Sequence, residues 1–372
     1  MQNLLAQRFF KPFFKVDFQD SRVTSEECLI MERELTKGLK FLRWALLLMR
    51  HKGSWSPAAT AGEFWRFLFN IGRHREILRL LKLPPFDEIA QNNPGFAFKY
   101  VVPIYLTRGF TAAERVSCFL YHYRRMHATL PENVLRQILQ GDVTLHEISN
   151  GVNRFALTMG LPGQRGHLEG ELSLDLRANG KRVFNLSFTI VPGWVVKSDV
   201  AEILLITRLQ GTLGSRPEIR LVRKVFHEFF PGKLLLAALQ GIAAAFGIGE
   251  LDAVCATNQP YYVKKYASNF QSAYDDFFAE LGMVKTAAGF YSSSIPIEGR
   301  PLASFKGRNR SRARKRRAMR QQIQSACAAF LLEAADRAAH SSFGAVNSTP
   351  FRGAVEPIPS PISSPTPDLK IP

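Results

Sequence analysis

The spacing of apolar residues predicts helices in the first part of the chain. Between Phe64 and Leu81, apolar side chains recur at intervals of three, four and seven positions and leave arginines on the other face, as in an amphipathic helix. A second helix is predicted after Thr111, because a threonine followed three positions later by Glu114 is the signature of a capping box. We therefore predict that residues 1–150 are mainly helical.

Near Gly151 the pattern changes from helical spacing to alternation. Apolar and polar residues alternate over 168–177 and again over 184–190. Asn179-Gly180 lies between the two segments and tolerates the positive φ angles of a two-residue turn, so the sequence predicts an antiparallel hairpin. The nearly all-apolar segment 202–209 predicts a strand that is buried on both faces and lies near the centre of a sheet.

Helices and strands alternate over the rest of the chain. We predict helices at about 218–229, 231–246 and 268–281, strands at 251–256 and 289–295, and a long helix to about 339. Seven prolines and six serines between Ser341 and Pro372 indicate a disordered tail. The prediction is thus an α+β chain with four regions: 1–150 mainly helical, 151–305 a mixed sheet with helices, 306–340 a basic helix, and 341–372 the tail.

Basic residues are concentrated shortly before the predicted tail. The chain carries a formal net charge of +18, and nine lysines and arginines with no acidic residue lie between Lys306 and Arg320. Such a run favours an anionic partner: RNA, an anionic lipid surface or an acidic protein. Alternatively, it is only the solvated start of a helix. The candidate polyanion-binding residues are Arg308, Arg310, Arg312, Arg314, Lys315, Arg316 and Arg317.

Cysteine spacing and apolar runs exclude other classes of protein. The four cysteines lie at least 72 positions apart, so neither a zinc site nor a disulfide framework is expected, and we predict no metal. No apolar run reaches the roughly 20 residues that a membrane span needs. We expect no membrane span and no secretion, and hence a cytoplasmic protein or one that lies peripherally at the inner membrane.

Three stretches resemble the VirK/YbjX family of bacterial proteins. They are FKYVVPIYLTRGFTAAERVSCFLYHYRRM from Phe98, RLQGTLGSRPEIRLVRKVFHEFFPGKLLLAALQGIAAAFGI from Arg208, and YDDFFAELGMVKTAAGFYSSSIP from Tyr274. Together they suggest homology over about residues 60–320. The resemblance implies a role in envelope remodelling, in resistance to cationic antimicrobial peptides or in virulence-factor expression.

The order of strands and helices after Leu204 also resembles the GNAT acyltransferase fold, a mixed and mostly antiparallel sheet in which a splayed central strand and the next helix receive the pyrophosphate of coenzyme A. That resemblance implies acyl-CoA or acyl carrier protein as the donor. Free amides at a helix start, approached through glycines, bind phosphate oxygens. Two segments have glycines near a predicted helix start and could bind phosphate in this way. Alternatively, their glycines only allow the chain to turn. The candidate donor-binding residues are Arg208, Gln210, Gly211 and Gly214 in the first segment, and Gly232 and Lys233 in the second.

Acyl transfer needs a base and an acid, and the sequence offers His227 with Glu228 as the base and Tyr291 as the acid. Adjacent helical residues point about 100° apart, so His227 and Glu228 cannot both face one atom. His227 is otherwise a structural histidine, and Tyr291 otherwise covers the sheet. The enzyme hypothesis predicts a pocket between the strand ending at Leu209 and the helix starting near Pro231. The competing hypothesis is a non-catalytic adaptor that binds RNA or anionic lipid through its arginines.

Overall fold

The computed structural model describes residues 57–93, 95–163, 166–297, 299 and 301–346. The basic and aromatic start of the chain and the last part of the predicted tail, 347–372, lie outside the described residues. Helices and an eight-stranded mixed sheet make up the described part. The predicted α+β class is therefore confirmed.

Ten α-helices are described, and the first five precede the sheet in the chain. The helices are α1 (Pro57–Phe69), α2 (Ile71–Leu80), α3 (Phe86–Asn92), α4 (Ala112–Thr129), α5 (Glu132–Gln140), α6 (Arg216–Val225), α7 (Pro231–Phe246), α8 (Ala267–Phe270), α9 (Asp276–Glu280) and α10 (Gly307–Val346). The capping box predicted at the start of α4 is confirmed, because Thr111 and Glu114 each accept the other's backbone N–H. The prediction of a single helix over 64–81 is wrong, because the helix is interrupted at Asn70, between the end of α1 and the start of α2.

The strands form one sheet with a single parallel pair among the described residues. They are β1 (Val143–Ser149), β2 (Arg154–Gly160), β3 (Leu172–Ala178), β4 (Lys181–Pro192), β5 (Glu202–Gly211), β6 (Glu250–Val254), β7 (Val284–Lys285) and β8 (Phe290–Ser294), in the spatial order β1-β2-β3-β4-β5-β6-β8-β7. The parallel pair is β5 with β6. The hairpin of β3 and β4 is confirmed, with φ of 51° at Asn179 and 82° at Gly180.

The sheet begins earlier than the sequence predicts. Val143 starts β1 inside the region expected to be mainly helical, and neither β1 nor β2 is among the predicted strands. Both strands are short, and their pairing, such as Val143 with Met159, is set by contacts between distant residues. A local pattern of this length does not decide between strand and loop.

Helices cover both faces of the sheet. Leu176 on β3 faces Leu234 of α7 and Ile323 of α10 across a small gap. Side chains alternate between the faces of a strand, so Glu171, which precedes Leu172, points to the other face and meets Tyr123 of α4 there. The helices α7 and α10 therefore cover one face of the sheet, and α4 covers the other.

The last helix packs on the sheet through its middle part. Ile323, Cys327 and Leu331 are buried at intervals of four positions, and Gly241 of α7 lets the Gln324 backbone approach closely where the two helices cross. The long helix predicted from the basic segment is confirmed, but residues 341–346, predicted as part of the tail, belong to it. No helix among the described residues has the length and the apolar character needed to cross a membrane.

Candidate functional site

The parallel strands β5 and β6 pair over a short distance only. Their register runs from Leu204 opposite Leu251 to Ile206 opposite Ala253. β6 ends at Val254, whereas β5 continues to Gly211 with β4 alone as its neighbour. The C-terminal half of β5 therefore has one edge that β6 does not cover.

A single π-helical turn, Gln271–Asp275, joins α8 to α9 beside this edge. It brings Tyr274 to β5, where the Gln210 side chain donates a hydrogen bond of 3.0 Å to the Tyr274 hydroxyl. Burial, followed by the nearby Glu169 carboxylate, raises the pKa of Tyr274 to about 12. The hydroxyl is therefore protonated at neutral pH. Turns of this kind are often found at functional sites.

An ion pair lies next to Tyr274. The Arg208 guanidinium on β5 binds the buried Glu169 carboxylate, and its Nε is buried without a hydrogen-bond partner among the described residues. Burial raises the pKa of Glu169, although Arg208 opposes the shift. Burial, followed by the Glu169 charge, raises the pKa of Tyr261, and the Arg208 charge opposes that shift. A buried carboxylate with a raised pKa can serve as a general base.

A cavity of about 330 Å³ opens at the end of β5. Four phenylalanines and Tyr274 form part of its walls, and Ser272 and Ala273 of the π turn also line it. The lining includes Phe184, Leu209, Gln210, Gly211, Phe230, Phe270, Ala273, Tyr274 and Phe277. Its size is at the lower end of the range for ligand sites. The phenylalanine side chains offer a ligand an apolar surface, whereas Gln210, Asn269 and Ser272 are the polar members of the lining.

The structure brings together some of the predicted donor-binding residues. Gln210 and Gly211 line the cavity, and Arg208 lies beside it on the same strand. Gly214 lies in the turn after β5 and is not part of the lining. Gly232 is buried behind the Phe230 ring, which a Cβ would approach to 2.9 Å, and the Lys233 ammonium binds Glu280 at 2.7 Å. The second predicted phosphate-binding segment is therefore occupied by protein groups.

The predicted catalytic residues lie apart from the cavity lining. α6 ends at Val225, so the expected helix does not reach His227 and Glu228, which adopt positive φ angles of 55° and 62° in an exposed turn. The carboxylate of Glu228 binds Arg223 at 3.2 Å. Tyr291 on β8 packs against Phe278. None of the three predicted residues lines the cavity.

The predicted polyanion-binding residues lie on the first turns of α10. Arg308, Arg310, Arg312, Arg314 and Lys315 are exposed, whereas Arg316 and Arg317 are half-buried. The Arg316 Nε donates a hydrogen bond of 2.8 Å to the His227 carbonyl. This bond joins the start of α10 to the turn that precedes Phe230 in the cavity wall.

A second buried polar cluster lies on the face of the sheet that α4 covers. The Glu171 carboxylate accepts hydrogen bonds from the Lys99 ammonium at 2.9 Å, from the Tyr105 hydroxyl at 2.6 Å and from Tyr123. Glu171 is completely buried. Close by, the His122 Nδ1 accepts the Ile190 N–H, and burial, followed by the Lys99 charge, lowers the pKa of His122 to about 3. Glu171 does not line the cavity at the end of β5.

Sequence reasoning missed Glu169, Tyr261 and Tyr274. Tyr274 opens the third of the stretches that carry the family resemblance, and this was the one signal that could have identified it. Glu169 and Tyr261 lie in loops without a motif, and only the fold brings them to Arg208. Within the described residues, no three His, Cys, Asp or Glu side chains are grouped as a metal site would require.

Comparison with known proteins gives one match. Residues 60–329 match a family model described as "Protein of unknown function (DUF535)". Neither a curated protein nor a solved structure matches the chain.

Proposed function

The chain belongs to the DUF535 family, which is the VirK/YbjX family, and we propose that it transfers an acyl group from a thioester to an amine or a hydroxyl. The observation that carries this proposal is the edge of β5 that β6 leaves uncovered, where Gln210 and Tyr274 line a cavity and the ion pair of Arg208 with Glu169 lies beside it. The role in envelope remodelling, antimicrobial-peptide resistance or virulence that the family resemblance implies is a further proposal.

The sheet supports the proposal through its topology. One parallel pair within an otherwise antiparallel sheet, separating after Ile206, corresponds to the splayed central strand of a GNAT-like fold. A strand edge without a neighbour can bind an extended chain through its backbone groups. The GNAT-like fold of this chain is part of the proposal, supported by this arrangement.

The cavity supports an acyl donor of apolar character. Four phenylalanines line the cavity: Phe184, Phe230, Phe270 and Phe277. Gln210 and Tyr274, whose side chains are hydrogen-bonded to each other, line it as well. An acyl chain inside it would remove apolar surface from water, which favours binding by about 25 cal/mol per Å². Its thioester carbonyl would then lie beside the polar groups of β5.

The polar groups supply an acid and a base. In the proposed step, the acceptor nitrogen or oxygen attacks the thioester carbonyl carbon, and the C–S bond breaks with its electron pair going to sulfur. Tyr274 donates its hydroxyl proton to the leaving thiolate, and the Glu169 carboxylate takes the proton that the acceptor loses. Solvent then returns a proton from Glu169 to Tyr274, which restores both groups. Positioned groups of this kind contribute roughly 10²- to 10⁴-fold.

Filling the cavity tests the donor site. Ala273 is exposed and lines the cavity, so Ala273→Trp would fill part of it without disturbing the core. Ala279→Trp is a matched control at an exposed position outside the lining. Calorimetry with octanoyl-coenzyme A should show binding to the parent and to the control and its loss in Ala273→Trp. Equal binding by both tryptophan variants would contradict the proposed donor site.

The chemistry is tested through Tyr274. Tyr274→Phe should lower the rate of thiol release from octanoyl-coenzyme A about 100-fold, with a panel of amine and hydroxyl acceptors present, and should leave KM within a few-fold. An unchanged rate would remove Tyr274 from the mechanism.

The five exposed cations of α10 support a second candidate function. They favour a non-catalytic adaptor that binds RNA or anionic lipid. In that case octanoyl-coenzyme A would not bind in the cavity, and polyanion binding would be the same in Ala273→Trp and in the parent.

A further inference from the structure

We use the name cationic face for the exposed basic side chains of α6 and of the start of α10, which the bond from Arg316 to the His227 carbonyl connects. On α6 these residues are Arg216, Arg220 and Lys224, and on α10 they are Arg308, Arg310, Arg312, Arg314 and Lys315. None of them has an ion pair or a side-chain hydrogen bond within the described residues. No acidic residue occurs between positions 299 and 332. The charges of this cationic face are therefore free to meet a partner.

The placement of these charges opposes the stability of α10. Cations in the first turn of a helix face the positive end of its dipole, and α10 has no acidic residue in its first turn. Arg308 and Arg312, and likewise Arg310 and Arg314, are four positions apart, where like charges repel. Internal contacts give no reason for this arrangement, whereas an anionic partner would relieve both effects.

The cationic face is joined to the cavity. Arg316 holds the carbonyl of His227, two residues after the end of α6. Three residues further along, Phe230 forms part of the cavity wall. A partner bound to the cationic face would therefore lie next to the same segment that shapes the cavity.

We infer that the cationic face docks an acidic carrier protein that bears the acyl thioester on a pantetheine arm. This inference rests on the proposed acyl transfer and names its donor. Charge complementarity and the link to the cavity both favour such a partner. Between positions 306 and 318 there is no aromatic residue to stack on bases and no large apolar residue to enter a lipid layer. These features favour a protein partner over base-stacking contacts with RNA and over insertion into a membrane.

A matched pair of triple variants tests the docking. The test variant is Arg310→Gln, Arg312→Gln and Arg314→Gln, and the control is Arg79→Gln, Lys82→Gln and Arg337→Gln, which removes as much charge from exposed positions elsewhere. The probe is purified holo-acyl carrier protein with a fluorescent label, and anisotropy is measured with the full chain over a range of salt concentrations. The test variant should weaken binding about tenfold and reduce its salt dependence, whereas the control should change binding less than about twofold.

Three outcomes decide the inference. Equal carrier binding by the test variant and the parent would overturn it. Tighter binding of random-sequence RNA or anionic vesicles than of the carrier, at the same salt, would overturn it in favour of those partners. Loss of carrier binding in the test variant together with unchanged octanoyl-coenzyme A binding in Ala273→Trp would support the docking face and reject the proposed cavity site, so the two failures are distinguishable.

Discussion

Two glutamates only two positions apart, Glu169 and Glu171, are both buried but differ in what surrounds them. Glu171 is enclosed by Lys99, Tyr105 and Tyr123, which satisfy its carboxylate. Glu169 is paired with Arg208, whose Nε is buried without a hydrogen-bond partner among the described residues. Gln210, two positions after Arg208 on the same strand, lines the cavity. Glu171 is therefore a charge whose partners fully enclose it, whereas Glu169 is the charge for which we propose a role in chemistry.

Replacing Glu171 should lower the stability of the protein most. Glu171→Leu would leave the Lys99 ammonium buried without its partner, and we expect the free energy of unfolding to fall by about 3–5 kcal/mol. Urea denaturation followed by circular dichroism measures the change. Adding Lys99→Met should recover part of the loss, because it removes the uncompensated charge. A loss below about 1 kcal/mol for Glu171→Leu would contradict the closed character of this cluster.

Asp252 on β6 is a third buried carboxylate, and it has no basic partner among the described residues. Burial, together with Glu250, raises its pKa from 3.8 to about 6 against a hydrogen bond with Ser292. The folded state binds the proton more tightly than the unfolded state does, so the contribution of this group to stability is present below about pH 4 and is lost as the pH rises through about 6. The loss amounts to about 3 kcal/mol.

The change Asp252→Asn should remove this pH dependence. The free energy of unfolding, measured in urea at about pH 4 and about pH 7, should favour the variant over the parent more strongly at the higher pH. If the difference in the free energy of unfolding between the two proteins were the same at both pH values, the raised pKa of Asp252 would be contradicted.

Glu169→Gln should have a smaller effect on stability than Glu171→Leu. Arg208 keeps partial access to water, with 22% of its side chain exposed, so it can be hydrated when its partner is neutral. We expect a loss of about 1–2 kcal/mol in urea denaturation. In a thiol-release assay the same variant should lose the base, and the activity of the parent should fall as the pH drops through the raised pKa of Glu169. A loss of stability as large as that of Glu171→Leu would erase the contrast between the two glutamates.

Changes in the cationic face should affect the stability of the protein least. The triple variant Arg310→Gln, Arg312→Gln and Arg314→Gln should raise the melting temperature slightly or leave it unchanged, because it removes like-charge repulsion worth about 0.2–0.5 kcal/mol per pair. Differential scanning calorimetry measures this change. A clear decrease would show that the arginines stabilise the helix, and they would then be structural.

Elements that depend on local chemistry could be predicted from the amino-acid sequence. The capping box of Thr111 and Glu114, the Asn179-Gly180 hairpin and the apolar strand β5 are confirmed where they were predicted. Each depends on residues within a few positions of one another, so a hydrogen bond, a φ angle or a periodic pattern is enough to predict it. The position of the arginine run at the start of a long helix was also predicted from the residues of that segment alone.

Only the tertiary structure decided which side chains meet. Arg208 reaches Glu169 across 39 positions, Gln210 reaches Tyr274 across 64, and Lys99 reaches Glu171 across 72. These contacts depend on strand register and on where β6 ends, and both are set by the packing of the whole sheet. No local pattern carries that information, which is why the sequence predicted the strand of the candidate site and a pocket beside it, but not that Glu169 and Tyr274 lie there.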